Sequence, residues 1–171
     1  MSEQPPEGTT ESVVAFGLNG YQQLCTVPTS RMLLDLLRDT FGCQGVRGSC
    51  ERGVCGACTV LVDGVPVAAC ATFAFAVDGA DVETVEGLAG DDGTLSPQQR
   101  AFAERGGYQC GFCTSGMLMT TTALLRHDPS PDRATIREWL SSNTCRCTGY
   151  EMIVESVERA ARLLADGGAQ R

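Results

Sequence analysis

Apolar and polar residues alternate in the first part of the chain, which is typical of half-buried β-strands. The alternation covers residues 13–18, a second strand-like run covers residues 21–27, and Asn19-Gly20 joins the two runs. Asn-Gly between two such runs favours a type I′ turn, so this segment is predicted to be a β-hairpin. Ser30 then precedes an apolar cluster at residues 32–37. That order predicts a short amphipathic helix with Ser30 as its N-cap.

A second hairpin is predicted further along the chain. Residues 59–62 and 65–70 are strand-like and flank Asp63-Gly64. Residues 81–85 form one more short strand candidate, whereas residues 42–56 are rich in glycine and irregular. Two hairpins, one helix and a last strand predict a small α+β domain.

The pattern becomes helical after residue 95. Ser96-Pro97 followed by Gln99 is a helix start with an N-cap, a proline in the first turn and a capping glutamine, and Gly106-Gly107 predicts the end. Three further helices follow from apolar residues at helical spacing, at residues 114–126, 132–141 and 152–164. Because the connecting loops are short, the second half is predicted to be an all-α, antiparallel four-helix bundle.

These patterns divide the chain into segments. Its first residues are rich in Pro, Glu and Thr and are predicted to be disordered, and its last residues are predicted to be a flexible tail. The segments are the disordered N-terminus (1–11), the α+β domain (12–86), a Gly- and Asp-rich linker (87–95), the four-helix domain (96–165) and the tail (166–171).

The charge of the chain argues against some classes of function. The 171 residues include 13 Lys+Arg and 21 Asp+Glu, which gives a formal net charge of -8. Phosphate binding needs a basic face, so neither nucleic acid nor an anionic membrane surface is expected as a partner. The longest apolar stretch, residues 67–77, is shorter than the ~20 residues of a membrane span. No secretory signal is visible, so a cytoplasmic location is expected.

Ten cysteines are the unusual feature of the composition. Cytosolic thiols stay reduced, so a spaced pattern there is typical of metal binding or catalysis. The first group has the C-x4-C-x2-C spacing of a plant-type [2Fe–2S] cluster, with a later fourth cysteine. Zinc ligands come more usually as two short knuckles, although a zinc site or unrelated buried thiols remain alternatives. The group is Cys50, Cys55, Cys58 and Cys70.

The second group lies in the predicted helical half. Cys110-x2-Cys113 falls between the first and second helices, and Cys145-x-Cys147 between the third and fourth. In an up-down bundle these two connections lie at the same end, so the four thiols are expected to converge. The spacing alone also fits zinc or a thioredoxin-type dithiol. A second iron–sulfur cluster is favoured because two clusters in one chain form a path for electron transfer, which one cluster alone does not.

The cysteine motifs resemble one known family. Three segments carry the likeness: GSCERGVCGACTV (48–60), QCGFCTSGM (109–117) and NTCRCTGY (143–150). They closely resemble the small iron–sulfur subunit of the xanthine dehydrogenase family of molybdenum hydroxylases, which includes aldehyde oxidoreductases, carbon monoxide dehydrogenases and N-heterocycle hydroxylases. The likeness extends over about residues 12–165.

The resemblance implies a β-grasp, plant-ferredoxin-like domain followed by a four-helix-bundle domain, each with one [2Fe–2S] cluster. It implies electron transfer from a molybdopterin–molybdenum centre on a large subunit to FAD on a medium subunit, in a dimer of heterotrimers. By the same resemblance, Gln109 and the sulfur of Cys147 contact the pterin. The substrate site and the catalytic residues are expected on the large subunit.

Two alternative functions stay open from the residues alone: a stand-alone two-cluster ferredoxin and a zinc-stapled interaction module.

Four other residues have simple structural interpretations. Cys25 and Cys43 are predicted to be buried free thiols, and His127 is predicted at a helix end. Trp139 is predicted in the core of the third helix. Arg146, between two cysteines, either offsets cluster charge, contacts a partner or is solvated.

Overall fold

The computed structural model describes residues 10–168. Its first half is built on a mixed β-sheet that, within this range, has five strands in the order β2-β1-β5-β3-β4. The strands β1 and β5 pair in parallel, and every other pairing in this sheet is antiparallel. The strands are β1 (Glu11–Leu18), β2 (Tyr21–Pro28), β3 (Thr59–Val62), β4 (Val65–Ala68) and β5 (Asp81–Glu83).

Both predicted hairpins are confirmed. Asn19 and Gly20 have φ values of 51° and 86°, the left-handed pair that a type I′ turn requires, and Leu18 lies opposite Tyr21. Asp63 and Gly64 repeat the arrangement with φ values of 50° and 79°. These tight turns fix the register of each hairpin, including the strand that leads to Cys70.

The first helix differs from its prediction. The α-helix α1 (Leu33–Asp35) continues as one wider, π-helical turn over Leu36–Thr40. The prediction that Ser30 caps it is wrong, because the chain is still extended at Met32, which bridges to Phe73. The N-cap position therefore falls on Met32, which makes no side-chain cap. The helix packs its leucines onto the sheet, where they join the core around Val14 and Phe16.

The second half contains the predicted bundle. The helices of residues 97–168 are α2 (Pro97–Arg105), α3 (Thr114–His127), α4 (Arg133–Leu140) and α5 (Glu151–Gly168). Ser96 and Gln99 form the predicted capping box, and Gly106 ends α2 with a φ of 65°. The core of the bundle includes Phe102, Met117, Leu124, Ile136, Leu140, Ile153 and Val157.

Regular structure reaches into both predicted terminal segments. Strand β1 begins at Glu11, so this residue is ordered, and α5 continues to Gly168. The rest of the predicted disordered N-terminus, except residue 10, and the last part of the predicted tail lie outside the described residues. The domain boundaries themselves stay a prediction.

A small apolar cluster joins the sheet to the bundle. Leu61 on β3 packs against Met119 and Ala123 on α3, and all three are buried. Half-buried Val85 and Leu88 complete this contact from the turn that follows β5. The two halves therefore pack through α3, the helix that begins directly after Cys113. Among residues 10–168, no helix combines the length and apolar character needed to cross a bilayer.

Candidate metal centres

The first cysteine group lies around the start of the second hairpin. Cys50 and Cys55 are in the irregular loop before β3, and Cys58 directly precedes that strand. Cys70 lies in a short 3-10 turn after β4. The N–H of Ala69 donates to the Cys58 carbonyl at 3.2 Å, so these two residues are paired as the hairpin register predicts. The structure thereby brings Cys70 beside the loop.

The loop turns its backbone N–H groups toward sulfur. Val54 and Cys55 each donate to Cys50 Sγ at 3.4 Å, and Gly53 donates to Cys70 Sγ at 3.3 Å. Gly53 has a φ of 74°, which a non-glycine residue adopts only with strain. Inward-pointing N–H groups are the usual means of stabilising anionic sulfur in such loops.

Thiols of this group differ in their readiness to ionise. Hydrogen bonds from the backbone of Arg52, Cys55 and Val54 lower the pKa of Cys50 to about 6. Burial raises the pKa of Cys58 to about 12. A thiolate at Cys58 is therefore unfavourable unless a cation lies beside it, and a bound metal ion would supply that cation.

The second cysteine group converges from two loops. Cys110 and Cys147 approach to 3.6 Å between sulfurs, although they are far apart in the chain. Burial, with a smaller contribution from the neighbouring Cys145 thiol, raises the pKa of Cys113 to about 12. The loops between α2 and α3 and between α4 and α5 therefore meet at one end of the bundle, as the up-down order predicts.

Within each cysteine group the thiols are near one another. Cys110 and Cys147 lie 3.6 Å apart between sulfurs. The neighbouring thiols Cys70 and Cys55 help to raise the pKa of Cys58, and Cys145 and Cys110 help to raise that of Cys113. In the described part of the chain, no three His, Cys, Asp or Glu side chains are gathered as ligands of one metal ion. Four neighbouring thiols that do not converge on one point fit a binuclear cluster, in which each iron takes two thiolates.

Tyr150 braces the loop of Cys145 and Cys147. The N–H of Cys145 donates to Tyr150 Oη at 2.8 Å, and the same hydroxyl donates to the carbonyl of Asn143 at 3.1 Å. Tyr150 itself has a φ of 71°, an unusual value for a bulky residue. Tyr150 was not identified as a site residue from the sequence. Its position in the motif of residues 143–150 was the available signal.

A hydrogen bond joins the two cysteine loops directly. The N–H of Thr144 donates to the carbonyl of Cys55 at 2.8 Å. Beside it, the amide of Asn143 donates to the carbonyl of Gly56 at 2.8 Å. These contacts connect Cys55 and the residue after it with the two residues before Cys145. Neither Asn143 nor Thr144 was identified from the sequence, because both act through residues almost ninety positions away.

The outer edges of both loops are exposed. Gln109, Cys110 and Cys147 are exposed at the end of the bundle. In the first loop, Val54 leaves 68% of its surface open to solvent. We call the contact of Asn143 and Thr144 with Cys55 and Gly56 the joint. Each cysteine group thus has one edge at the joint and one edge at the molecular surface.

The remaining residues singled out from the sequence differ in how far they are buried. Cys43 is buried as predicted, whereas Cys25 is only half-buried, because β2 is an edge strand. His127 ends α3, and its ring lies 5.7 Å from that of the half-buried Trp139. Arg146 is exposed.

Comparison with known families agrees with this arrangement. Residues 84–158 match the family described as a "[2Fe-2S] binding domain". Residues 19–100 match a "2Fe-2S iron-sulfur cluster binding domain". The two matches together span both cysteine groups.

Individual relatives share most of the chain. It is 48% identical over 140 residues to the nicotine 6-hydroxylase small subunit of Paenarthrobacter nicotinovorans, covering 82% of this chain and 84% of that one. It is 44% identical over 150 residues to caffeine dehydrogenase subunit gamma of Pseudomonas sp. (strain CBB1), covering 85% and 89%. A chain of quinoline 2-oxidoreductase from Pseudomonas putida 86 superposes with a TM-score of 0.87 at 39% identity, covering 92% of this chain and 98% of that one. The chain belongs to the family of small iron–sulfur subunits of molybdenum hydroxylases.

Proposed function

We propose that the eight cysteines of the two groups are the ligands of the two [2Fe–2S] clusters of this electron-transfer subunit. Cys50, Cys55, Cys58 and Cys70 bind the ferredoxin-type cluster, and Cys110, Cys113, Cys145 and Cys147 bind the bundle cluster. The close approach of Cys110 and Cys147 and the N–H groups directed at Cys50 and Cys70 support this assignment. Each cluster, when bound, accepts and releases one electron; the chain supplies the thiolates and fixes the separation of the two sites.

The route between the sites is the observation that carries this proposal. The carbonyl of Cys55 accepts a hydrogen bond from Thr144, whose own carbonyl carbon is bonded to the nitrogen of Cys145. One hydrogen bond therefore connects a ligand residue of one cluster to a neighbour of a ligand of the other. Gly56 and Asn143 beside this bond are buried, whereas Cys55 is half-buried and Thr144 is exposed, so the bond lies at the edge of the buried region.

We propose that partner subunits dock at the two exposed edges. We assign the edge with Gln109 and Cys147 to a large molybdopterin-binding subunit, where both residues contact the pterin. The exposed loop around Val54 faces a medium FAD-binding subunit. Electrons then pass from molybdenum through the bundle cluster and the ferredoxin-type cluster to flavin, and the substrate pocket lies on the large subunit. We further propose a dimer of heterotrimers in the cytoplasm, where thiols stay reduced and available for iron.

Metal analysis of the native protein tests the ligand assignment. Two clusters require about four iron and four acid-labile sulfide per chain. About half that iron, or stoichiometric zinc, would contradict the assignment. Purification of the native chain tests the partners: a molybdenum-containing chain and a flavin-containing chain are expected to accompany it. A monomer of this chain that oxidises substrate by itself would contradict the proposal that the substrate pocket lies on the large subunit.

A further inference from the structure

The side chain of Asn143 lies at the joint between the two cysteine loops. It is only 1% exposed. Its Nδ2 donates to the carbonyl of Gly56 at 2.8 Å and to Thr59 Oγ1 at 3.4 Å, both in the first half of the chain. Its Oδ1 accepts from Thr120 Oγ1 at 2.7 Å and from Ser142 Oγ at 3.0 Å, both in the second half. One buried amide thus connects the ferredoxin-type loop, helix α3 and the loop of the second cysteine group.

These contacts flank the hydrogen bond that joins the cysteine loops. Gly56 follows Cys55, and Asn143 precedes Thr144, so the amide and the Thr144–Cys55 bond form two adjacent links between the same two segments. Rotation or withdrawal of the Asn143 side chain would leave the Thr144–Cys55 bond as the remaining link there. The side-chain amide therefore fixes the direction in which the two loops face each other.

Glycine makes this close approach possible. A Cβ on Gly56 would overlap the amide of Asn143, and a Cβ on Gly116 of α3 would overlap the carbonyl oxygen of Gly56. The backbone of α3 therefore touches the ferredoxin-type loop directly. The joint has no spare space, so a change at Asn143 is transmitted to the loops instead of being absorbed by loose packing.

Asn143 is not needed to satisfy the carbonyl that it contacts. The oxygen of Gly56 also accepts from Thr59 N at 3.1 Å and from Thr59 Oγ1 at 2.7 Å. Both of those bonds lie within the first half and would persist without Asn143. What the asparagine adds is the connection across the joint, which points to a role in positioning one loop against the other.

We propose that Asn143 is a positioning residue for electron transfer between the two clusters. This inference rests on the proposed ligand sets. The transfer moves one electron, oxidising the bundle cluster by one electron and reducing the ferredoxin-type cluster by one, with no bond made or broken and no proton transferred. Asn143 acts through the Thr144–Cys55 contact, whose geometry it maintains.

The test compares the native heteromeric complex with its Asn143→Ala variant. Iron content and the two paramagnetic resonance signals report whether both clusters are present. In the fully reduced complex, magnetic splitting between the two signals reports their separation and orientation. We expect about four iron per chain and both signals to be retained, with an altered splitting. We also expect electron transfer between the clusters to be measurably slower than in the wild-type complex, because the rate of electron tunnelling falls steeply as the separation of the two clusters increases.

The matched control is Asn19→Gly. Asn19 exchanges two hydrogen bonds with Thr84, at 3.0 and 2.8 Å, and both lie within the first half of the chain. Its φ of 51° suits glycine, so the backbone is not strained by the change. This variant loses amide hydrogen bonds without touching the joint, and its splitting and inter-cluster rate should equal those of the wild type.

The outcomes separate the two proposals. Unchanged splitting and rate in a fully loaded Asn143→Ala complex would overturn the role of Asn143 and leave the ligand assignment intact. Low iron in the wild-type protein would overturn the ligand assignment itself. If only Asn143→Ala fails to load, Thr120→Val decides, since it removes one donor to Asn143 Oδ1 from a helix that carries no ligand at that position. If Thr120→Val alters the splitting and slows the transfer between the clusters, by less than Asn143→Ala is expected to, the proposal is supported. If Thr120→Val leaves both unchanged, the proposal is refuted.

Discussion

The guanidinium of Arg126 donates two hydrogen bonds to the carboxylate of Glu83, at 2.6 and 2.8 Å. Arg126 lies near the end of α3 and Glu83 at the end of β5, so this ion pair connects the bundle to the sheet. Two parallel bonds of this kind fix orientation as well as distance. The pair therefore supports the docking of the two halves at a place remote from the cysteine loops.

The first prediction concerns the pH dependence of this ion pair. The hydrogen bonds from Arg126 hold the pKa of Glu83 below its usual range. When folding lowers the pKa of a carboxyl, the ionised group stabilises the folded state. This stabilisation is complete at pH values above the pKa of the unfolded chain, and it is lost as the pH falls through the lowered pKa of the folded state. Arg126→Gln should cost about 0.5–1 kcal/mol at pH 7, since both side chains are partly solvated.

The measurement is the melting temperature of the loaded protein as a function of pH. The difference between Arg126→Gln and wild type should be constant above about pH 5 and shrink below the ordinary glutamate pKa. Arg162→Gln, a change on α5, controls for the loss of one positive charge. A difference that grows as the pH falls would show that the ionised Glu83 carboxylate is not what stabilises the folded state.

A second prediction tests the close contact between α3 and the ferredoxin-type loop. Gly116→Ala adds a Cβ that overlaps the Gly56 carbonyl oxygen, so it should destabilise the protein by about 1–3 kcal/mol. Gly167→Ala is the matched control, because it lies in α5 with no atom near the added Cβ. There, alanine should be neutral or stabilising by at most about 1 kcal/mol. The measurement is the melting temperature of the two variants. Equal values would show that α3 and the ferredoxin-type loop can move apart to accommodate the added Cβ at little cost.

Tyr150 provides a third prediction. Tyr150→Phe removes the acceptor of the Cys145 N–H and the donor to the Asn143 carbonyl. A loss of about 1–3 kcal/mol is expected, since a half-buried N–H is left without its partner. Iron should also be lost faster from the bundle cluster during incubation with a chelator. Tyr21→Phe, at an exposed side chain on β2, should change neither property. If both variants behave alike, Tyr150 does not brace the loop.

The fourth prediction distinguishes the two clusters. Cys113→Ser removes a thiolate from the bundle cluster, and Cys55→Ser removes one from the ferredoxin-type cluster. In the assembled Cys113→Ser complex, substrate should reduce molybdenum but neither the remaining cluster nor the flavin at a useful rate. In the Cys55→Ser complex, substrate should reduce the bundle cluster while the flavin stays oxidised.

Anaerobic reduction by substrate, followed by paramagnetic resonance and flavin absorbance, measures these steps. Assembly of each complex is checked first, since loss of a cluster can unfold its loop. Cys43→Ser serves as the control, because this buried cysteine belongs to neither group. Rapid flavin reduction in an assembled Cys113→Ser complex would show that the order of transfer is wrong.

Local features were predictable from the sequence because neighbouring residues determine them. The Asn19-Gly20 turn and the capping box of Ser96 and Gln99 each involve only a few consecutive positions, and both are confirmed. The Ser30 cap was wrong for the opposite reason. Phe73, which is distant in the chain, keeps Met32 extended and shifts the helix start.

The sequence by itself determined the family and the two cysteine groups, because ligand spacing within a loop is a local property and three motifs together are specific. Tertiary structure alone decided how the two groups are joined. The contact of Asn143 with Gly56 spans 87 positions, and nothing near either residue in the chain specifies it. It arises because Leu61, Met119 and Ala123 pack the sheet against α3, which brings two distant loops within hydrogen-bonding distance.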